Sequence, residues 1–263
     1  MTHTDIALDD VTLRATVTGN GPTVLLLHAG GEHRGVWAPV AERLDERGYR
    51  AVAVDLRGHG DSSGTATMLR PIANDVTELI RRDSPPVVVV GASLGGFAAI
   101  AALAEPATRS QVVGLVLVDV VPDPDPRRVR TWLRQQELGN RFVDLTEDIL
   151  AAGPDLLATI GALDLPILLV RGGCSPLEDA DIHRLHAANR RVTTIRVASA
   201  GHLVAQEAPA ELARIIAAHA DACLDDDAVR QAFELQRTLG VESIRHPGGE
   251  SARPPAPRAR PYR

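Results

Sequence analysis

Residues 87–99 read Val87-Val88-Val89-Val90-Gly91-Ala92-Ser93-Leu94-Gly95-Gly96-Phe97-Ala98-Ala99. The stretch opens with four β-branched residues, passes through Gly-x-Ser-x-Gly and continues into an alanine-rich run. This order predicts a strand, a tight turn and a helix, with the Ser93 hydroxyl raised above a sheet. Gly91 and Gly95 fit such a turn, because a residue without Cβ lets the backbone turn sharply and approach its neighbours closely. Ser93 is therefore the first candidate for a reactive side chain.

Further apolar runs lie on either side of this stretch and are separated by turn residues. The run at 23–27 is continuously apolar from Val24 onward, as expected for a strand covered on both faces of a sheet. The other strands are predicted at 6–8, 11–18, 49–54, 112–121, 165–170 and 192–198. Helices are predicted at 37–47, 67–82 (with Met68 on its apolar face), 177–189 and 209–223. Strands alternating with helices predict an α/β fold with a mostly parallel, doubly wound sheet.

The chain divides into a core, an insertion and a C-terminal extension. Residues 1–121 and 165–224 are predicted to form the core, and 122–164 a short helical cap with helices near 127–138, 145–152 and 155–161. A further helix is predicted over 225–240. Residues 241–263 are rich in Pro, Gly, Ser and Arg, a composition typical of disorder.

Composition excludes several classes of function. Hydrophobic residues make up 44% of the chain and the net charge is −6, so neither nucleic acid nor an anionic membrane is an expected partner. Two distant cysteines and an N-terminus without a basic, apolar leader predict a reduced, cytoplasmic protein. No metal-ligand cluster or nucleotide fingerprint occurs, so no cofactor is expected. A small molecule is the expected partner, and the oligomeric state is left open.

Chemically useful side chains follow several of the predicted strands. Open α/β sheets place their sites beyond the carboxyl ends of the strands. His28-Ala29-Gly30, Ser93, Asp119 and His202 all stand at such ends or in the loops beyond them. A serine hydroxyl is a weak nucleophile and needs a nearby imidazole to take its proton. The sequence supplies both groups.

Four segments together resemble the α/β-hydrolase family: 28–31, 55–62, 91–96 and 200–202. They match in order and at fitting separations, and the resemblance covers about residues 6–222. It is nearest to bacterial esterases, C–C hydrolases and cofactor-free haloperoxidases. Four motifs in order are highly specific for the fold and weakly specific for the substrate.

The resemblance implies roles for individual residues. Ser93 corresponds to the nucleophile and His202 to the general base. The oxyanion would be held by two backbone N–H groups, those of Leu94 and Gly30. Four neighbouring polar residues are expected to support the loops rather than to react: His28, Asp55, His59 and Asp61.

The acid that should orient His202 departs from the family pattern. The family commonly carries it after the strand predicted at 166–170, as Arg-Gly-Gly-x-Ser-Asp, but this chain has Pro176 at that position. Proline cannot orient an imidazole. Asp119, at the end of the preceding strand, is the favoured substitute. The alternatives are a site without an acid, or a carboxylate from the shifted loop: Glu178, Asp179 or Asp181.

The short cap predicts a smaller or more open pocket than is usual in this group. Trp132, Leu133 and Phe142 are candidates to line it, and an aromatic content of 3% leaves little stacking surface for large aromatic substrates. The resulting hypothesis is a serine hydrolase acting on a small ester, thioester or related carbonyl compound. One alternative is a lyase, cyclase or isomerase that uses His202 without an acyl-enzyme. The other is a non-catalytic binding protein.

Overall fold

Eight strands form one sheet in the computed structural model, which describes residues 1–135 and 142–225. The strand order is β1-β2-β4-β3-β5-β6-β7-β8; the pairs β1–β2 and β2–β4 are antiparallel and the other pairs are parallel. The predicted fold is confirmed. The strands are β1 Thr2–Ala7, β2 Thr12–Thr18, β3 Thr23–Leu27, β4 Arg50–Val54, β5 Val87–Ala92, β6 Val112–Val118, β7 Ile167–Gly172 and β8 Val192–Val197.

Helices cover both faces of this sheet. Val87 and Val89 of β5 belong to one buried apolar cluster, and Val88 and Val90 belong to the other. Alternate side chains of a strand point to opposite faces, so an uninterrupted valine run suits a strand buried on both sides. The helices are α1 Ala38–Asp45, α2 Leu69–Arg82, α3 Leu94–Ala102, α4 Pro106–Arg109, α5 Pro126–Gln135, α6 Val143–Ala162, α7 Asp179–Ala188, α8 Val204–Glu207 and α9 Pro209–Leu224, with a 3-10 helix at Arg34–Trp37. Within the described residues, no helix is long and apolar enough to span a membrane.

Several predicted boundaries are wrong. β6 ends at Val118, not at residue 121, so Asp119 lies just beyond the strand. α2 begins at Leu69, and Met68 precedes it with 51% of its surface exposed, so Met68 does not belong to the apolar face. The short helices α4 and α8 have no counterpart in the sequence prediction, since a single helical turn shows too few residues for a period of 3.6.

The cap contains one long helix where the sequence predicted two. α6 runs without a break through Gly153 and Pro154. Proline removes one backbone hydrogen bond from a helix interior and normally bends or ends the helix. Here four residues on one face of α6 are buried in the core and hold the helix on both sides of the proline: Leu145, Ile149, Leu156 and Ile160. Tertiary burial therefore outweighs the local signal.

Parts of the prediction fall beyond the described residues. Positions 136–138 of the first predicted cap helix lie outside the described residues. The predicted tail 241–263 and, apart from Asp225, the predicted helix 225–240 also lie outside them.

Gly95→Ala is expected to destabilise the fold by about 1–3 kcal/mol or more. A Cβ at Gly95 would lie 2.4 Å from the carbonyl oxygen of Leu27, a backbone atom that cannot rotate away. Urea unfolding measures the loss. Gly161→Ala is the matched control: its Cβ would meet the Ala188 oxygen at 3.4 Å, and alanine is favoured over glycine within a helix. If the two variants had the same free energy of unfolding, the close backbone approach at Gly95 would not contribute to the stability of the fold.

Candidate active site

Ser93 occupies the predicted turn between β5 and α3. Its backbone has φ 45° and ψ −110°, a conformation that costs a non-glycine residue about 1–3 kcal/mol. The surrounding backbone maintains it: Ser93 N–H donates to Val118 O at 3.3 Å, and the N–H groups of Gly96 and Phe97 donate to Ser93 O at 2.9 and 3.1 Å. Gly91 must lack a side chain, because a Cβ there would lie 2.5 Å from the Gly95 backbone. The strained turn is the geometry that the motif predicted.

His202 and Asp119 form a hydrogen-bonded pair beside this turn. His202 Nδ1 lies 2.8 Å from Asp119 Oδ2, and the Asp119 side chain is fully buried. An ionised carboxylate only accepts hydrogen bonds, so Nδ1 carries the proton and Nε2 is left as the basic nitrogen. Within the described residues no hydrogen bond joins Ser93 to His202, but both line one cavity. Such contacts are often long in ligand-free sites and tighten when substrate binds.

The other carboxylates considered for this role have different partners. Asp179 pairs with Arg171 at 2.6 Å and is largely exposed. Glu178 and Asp181 form reciprocal hydrogen bonds with each other's backbone at the start of α7, and both also pair with Arg128 of the cap. The structure therefore places Asp119 against the histidine, and these three carboxylates around α7.

Gly30 and Leu94, whose N–H groups are expected to hold an oxyanion, lie next to each other. Gly30 and Leu94 both line the cavity with Ser93, and a Cβ built on Gly30 would touch the Leu94 side chain at 3.8 Å. Within residues 1–135 and 142–225 neither N–H donates to another protein atom. The Gly30 loop is closed on itself, since Glu32 N–H donates to Ala29 O at 3.1 Å and Ala29 N–H donates to the Glu32 carboxylate at 3.0 Å. Both donors are thus held in place and available to a ligand.

His28 is buried under this loop. Its Nδ1 lies 2.8 Å from Ala29 O, and Leu56 N–H donates to its Nε2 at 3.0 Å. These contacts fit a neutral ring with the proton on Nδ1. Burial lowers the pKa of His28 to about 4. A neutral, doubly hydrogen-bonded ring matches the loop-supporting role expected for it.

The stability of the fold is expected to fall between about pH 6.5 and pH 4. The unfolded chain takes up a proton at His28 near pH 6.5, whereas the folded chain resists it down to about pH 4, so protons favour unfolding in this window. The effect is on the order of 3 kcal/mol for the full shift. Urea unfolding at pH 7 and at pH 4 measures it.

A His28→Gln variant serves as the comparison for this pH dependence. It is expected to be less stable at every pH and to lose less stability on acidification. Some pH dependence should remain, because burial also lowers the pKa of His219 to about 4. An equal acid loss in wild type and variant would contradict the assignment.

The loop between β4 and α2 is held by buried hydrogen bonds and contacts the cap. The buried Asp55 accepts hydrogen bonds from the backbone of Arg34 and of Asp61, the latter at 2.8 Å, and pairs with the Arg34 guanidinium. His59 lies 3.0 Å from Arg57 O and stacks on Phe142 of the cap, with ring centroids 5.4 Å apart. Asp55, His59 and Asp61 do not line the cavity, which agrees with the supporting roles expected for them.

The cavity above Ser93 has a volume of about 360 Å³, near the small end of ligand pockets. Trp132 of α5 lies edge-on to the His202 ring, with centroids 4.5 Å apart. The cap therefore reaches the catalytic candidates directly. Trp132, Leu133 and Phe142 all line the cavity, as the sequence suggested. Half of the other lining residues are also hydrophobic: Ala29, Leu94, Phe97, Val120, Val121, Val129, Leu145, Ile149, Leu150, Leu177 and Leu203.

Sequence reasoning missed the groups that hold Asp119. Gly172 N–H donates to Asp119 Oδ1, and Ser175 Oγ donates to Oδ2, both at 2.8 Å. The available signal was the loop after β7, where the family commonly places its acid. Glu32 and Gln206 were also missed; they bond to each other across the cavity wall, and no motif marks either one.

A protein family and several curated proteins match this chain in sequence. The family model described as "Alpha/beta hydrolase family" matches residues 24–215. A pimeloyl-[acyl-carrier protein] methyl ester esterase of Xanthomonas oryzae pv. oryzae is 42% identical over 107 residues, which are 40% of this chain and 40% of that protein. The enzyme of the same name from Xylella fastidiosa is 40% identical over 107 residues, 40% of this chain and 39% of that protein. The match thus spans about two fifths of these curated relatives.

A solved structure extends the likeness over most of the fold. The esterase of Exiguobacterium antarcticum superposes with a TM-score of 0.66 at 18% identity, covering 82% of this chain and 98% of that one. At this identity the likeness concerns the fold alone.

Proposed function

The chain belongs to the α/β-hydrolase family, and from this premise we propose that it is a serine hydrolase that cleaves carboxylic esters through an acyl-enzyme on Ser93. One observation carries the proposal: the hydrogen-bonded His202–Asp119 pair and the strained Ser93 turn face the same cavity. Nucleophile, base and orienting acid are the three groups that this chemistry requires.

Acylation uses these groups in a fixed order. His202 Nε2 takes the Ser93 Oγ proton as Oγ attacks the ester carbonyl carbon. The N–H groups of Gly30 and Leu94 hold the negative oxygen of the tetrahedral intermediate. Asp119 keeps the imidazole oriented and stabilises its positive form. The intermediate collapses, the C–O bond to the alcohol breaks, and the alcohol leaves with the proton from His202.

Deacylation repeats the steps with water as the nucleophile. His202 Nε2 removes a proton from a water molecule, whose oxygen attacks the acyl carbon of Ser93. The second tetrahedral intermediate collapses, Ser93 Oγ recovers its proton from His202, and the carboxylic acid is released. The net reaction consumes one ester and one water and yields one acid and one alcohol.

The cavity favours a small substrate with an apolar acyl part. Its volume of about 360 Å³ leaves little room for a bulky ligand, and its walls are mainly aliphatic. Trp132 and Phe142 of the cap would contact the substrate from above. The curated relatives are named as methyl ester esterases, and a small alcohol group suits a cavity of this volume. Thioesters with similar acyl parts belong to the same proposed range.

The Asp119–His202 hydrogen bond also weighs against the alternatives. A lyase, cyclase or isomerase that uses His202 as base without an acyl-enzyme was suggested by the missing acid after β7 and by the short cap. The hydrogen bond between Asp119 and His202 Nδ1 weakens the first of these two grounds. A purely binding protein would have no need to maintain the strained backbone at Ser93.

A fluorophosphonate probe tests the proposal directly. It is expected to label the wild-type chain at Ser93, and mass spectrometry of the digested protein identifies the modified peptide. The matched control is Ser93→Ala, which removes the proposed nucleophile and should abolish the labelling. p-Nitrophenyl esters of increasing acyl length should show turnover that falls once the acyl chain outgrows the cavity. Labelling elsewhere, or none, would overturn the proposal.

A further inference from the structure

We propose that Ser175 is a positioning residue for the site, whose hydroxyl fixes the Asp119 carboxylate and through it the His202 ring. This inference rests on the proposed function. It concerns the loop after β7, which the family commonly uses to supply the acid. Here the same loop would supply hydrogen-bond donors to Asp119, which lies just beyond β6.

The direction of the Ser175 hydrogen bond follows from its second partner. Leu177 N–H donates to Ser175 Oγ at 3.0 Å. With that lone pair engaged, the hydroxyl proton is directed to Asp119 Oδ2 at 2.8 Å, a carboxylate oxygen that can only accept. Pro176 lies between them in sequence and has no N–H, so Leu177 is the first residue after Ser175 able to provide this donor. The hydroxyl is thereby held in one rotamer.

Asp119 needs such donors because its side chain is fully buried. A buried charge is tolerated only where hydrogen bonds replace the lost water. Gly172 N–H donates to Oδ1, while Ser175 Oγ and His202 Nδ1 both bond to Oδ2. Two of these three donors come from the segment 172–175. The plane of the carboxylate is therefore set by this segment, and the imidazole aligns to that plane.

The backbone conformation of Asp119 also requires stabilising contacts. Its φ of 52° lies in the left-handed region, which a non-glycine residue seldom adopts. Side-chain hydrogen bonds to the adjacent strand end hold the residue in that conformation. Removing one of them frees the carboxylate to rotate about its last side-chain bond, and the imidazole then loses its fixed acceptor.

Ser175→Ala is expected to lower kcat about tenfold while KM changes less than twofold, the split expected when a transition-state geometry is disturbed and ground-state binding is not. Ser175→Thr keeps a hydroxyl and should recover most of kcat. Ser175→Cys replaces the hydroxyl with a weak donor of similar size and should lie between the two, which provides a second measurement if the alanine variant folds poorly. Cys174→Ala, an exposed neighbour on the same loop, is the matched control and should behave as wild type.

A spectroscopic readout separates this inference from the proposed function. The His202 Nδ1–H bonded to a buried carboxylate gives a downfield proton NMR signal, assigned by its loss in His202→Gln. Ser175→Ala should shift or broaden that signal, and Ser175→Thr and Cys174→Ala should leave it in place. If wild type cleaves no ester but the signal still responds to Ser175→Ala, the function fails and the positioning role stands. An unchanged signal, or an unchanged kcat in an active enzyme, overturns the positioning role.

Discussion

An Asp119→Asn variant is expected to hydrolyse esters on the order of 10³- to 10⁴-fold more slowly than wild type. The amide is nearly the same size as the carboxylate, so the loss concerns hydrogen-bond chemistry and not volume. Gly172, Ser175 and His202 all donate to Asp119. An asparagine NH₂ group facing any of them sets two donors against each other. The imidazole then turns away or carries its proton on the wrong nitrogen, and Nε2 no longer serves as the base.

Steady-state kinetics on a p-nitrophenyl ester measure this loss, which should appear in kcat with KM near the wild-type value. Asp179→Asn is the matched control, because Asp179 follows the neighbouring strand but pairs with Arg171 on the surface. It should retain full activity. Urea unfolding of both variants shows whether the buried amide also weakens the fold. Near-full activity in a folded Asp119→Asn variant would remove Asp119 from the mechanism.

The position of Asp119 has a simple geometric basis in the sheet. β6 and β7 are adjacent and parallel, with Val118 opposite Val170 in the register. Neighbouring strands lie about 4.8 Å apart, so a carboxylate just beyond β6 starts one strand spacing from where a residue beyond β7 would start. A side chain spans that interval. A carboxylate beyond either strand can therefore reach the same histidine. In this chain position 176 is proline, so no carboxylate there competes with Asp119.

The sequence was most informative where structure depends on neighbouring residues. The run 23–27, apolar from Val24 onward, predicted β3 with its correct bounds, because a strand buried on both faces has mostly apolar side chains. The turn at Ser93 was likewise predicted from five consecutive residues. α6 was predicted as two helices, since its continuity depends on the burial of one face against the core, which the local Gly153-Pro154 signal does not reflect.

The site could be predicted in its types of residue but not in its connections. Ser93 and His202 were identified by chemistry and by resemblance, and the structure places both on one cavity. Ser175 escaped notice because its partner lies 56 positions earlier in the chain, and Glu32 lies 174 positions from Gln206. Contacts of this kind arise from the order of strands in the sheet. Local periodicity carries no information about them.

Ser93→Ala is expected to lower kcat on the order of 10⁶-fold. Without Oγ there is no group to form the acyl-enzyme, and the remaining rate comes from the oxyanion donors and from substrate binding alone. Fluorophosphonate treatment of the purified variant before assay removes any trace of active protein, so the residual rate belongs to the variant. Turnover that survives the replacement would instead support the lyase or isomerase alternative, in which His202 acts directly on the substrate.

A double variant, Ser93→Ala with Asp119→Asn, also distinguishes the serine hydrolase mechanism from one in which His202 acts directly on the substrate. In a serine hydrolase the acid acts only through His202 on Ser93, so the double variant should be no slower than Ser93→Ala alone, since residues acting as one unit are strongly non-additive. If His202 were the direct base toward substrate, Asp119 would still matter without the serine. The double variant would then lose on the order of another 10³-fold, the loss attributable to a misoriented imidazole. The comparison identifies the atom on which the Asp119–His202 pair acts.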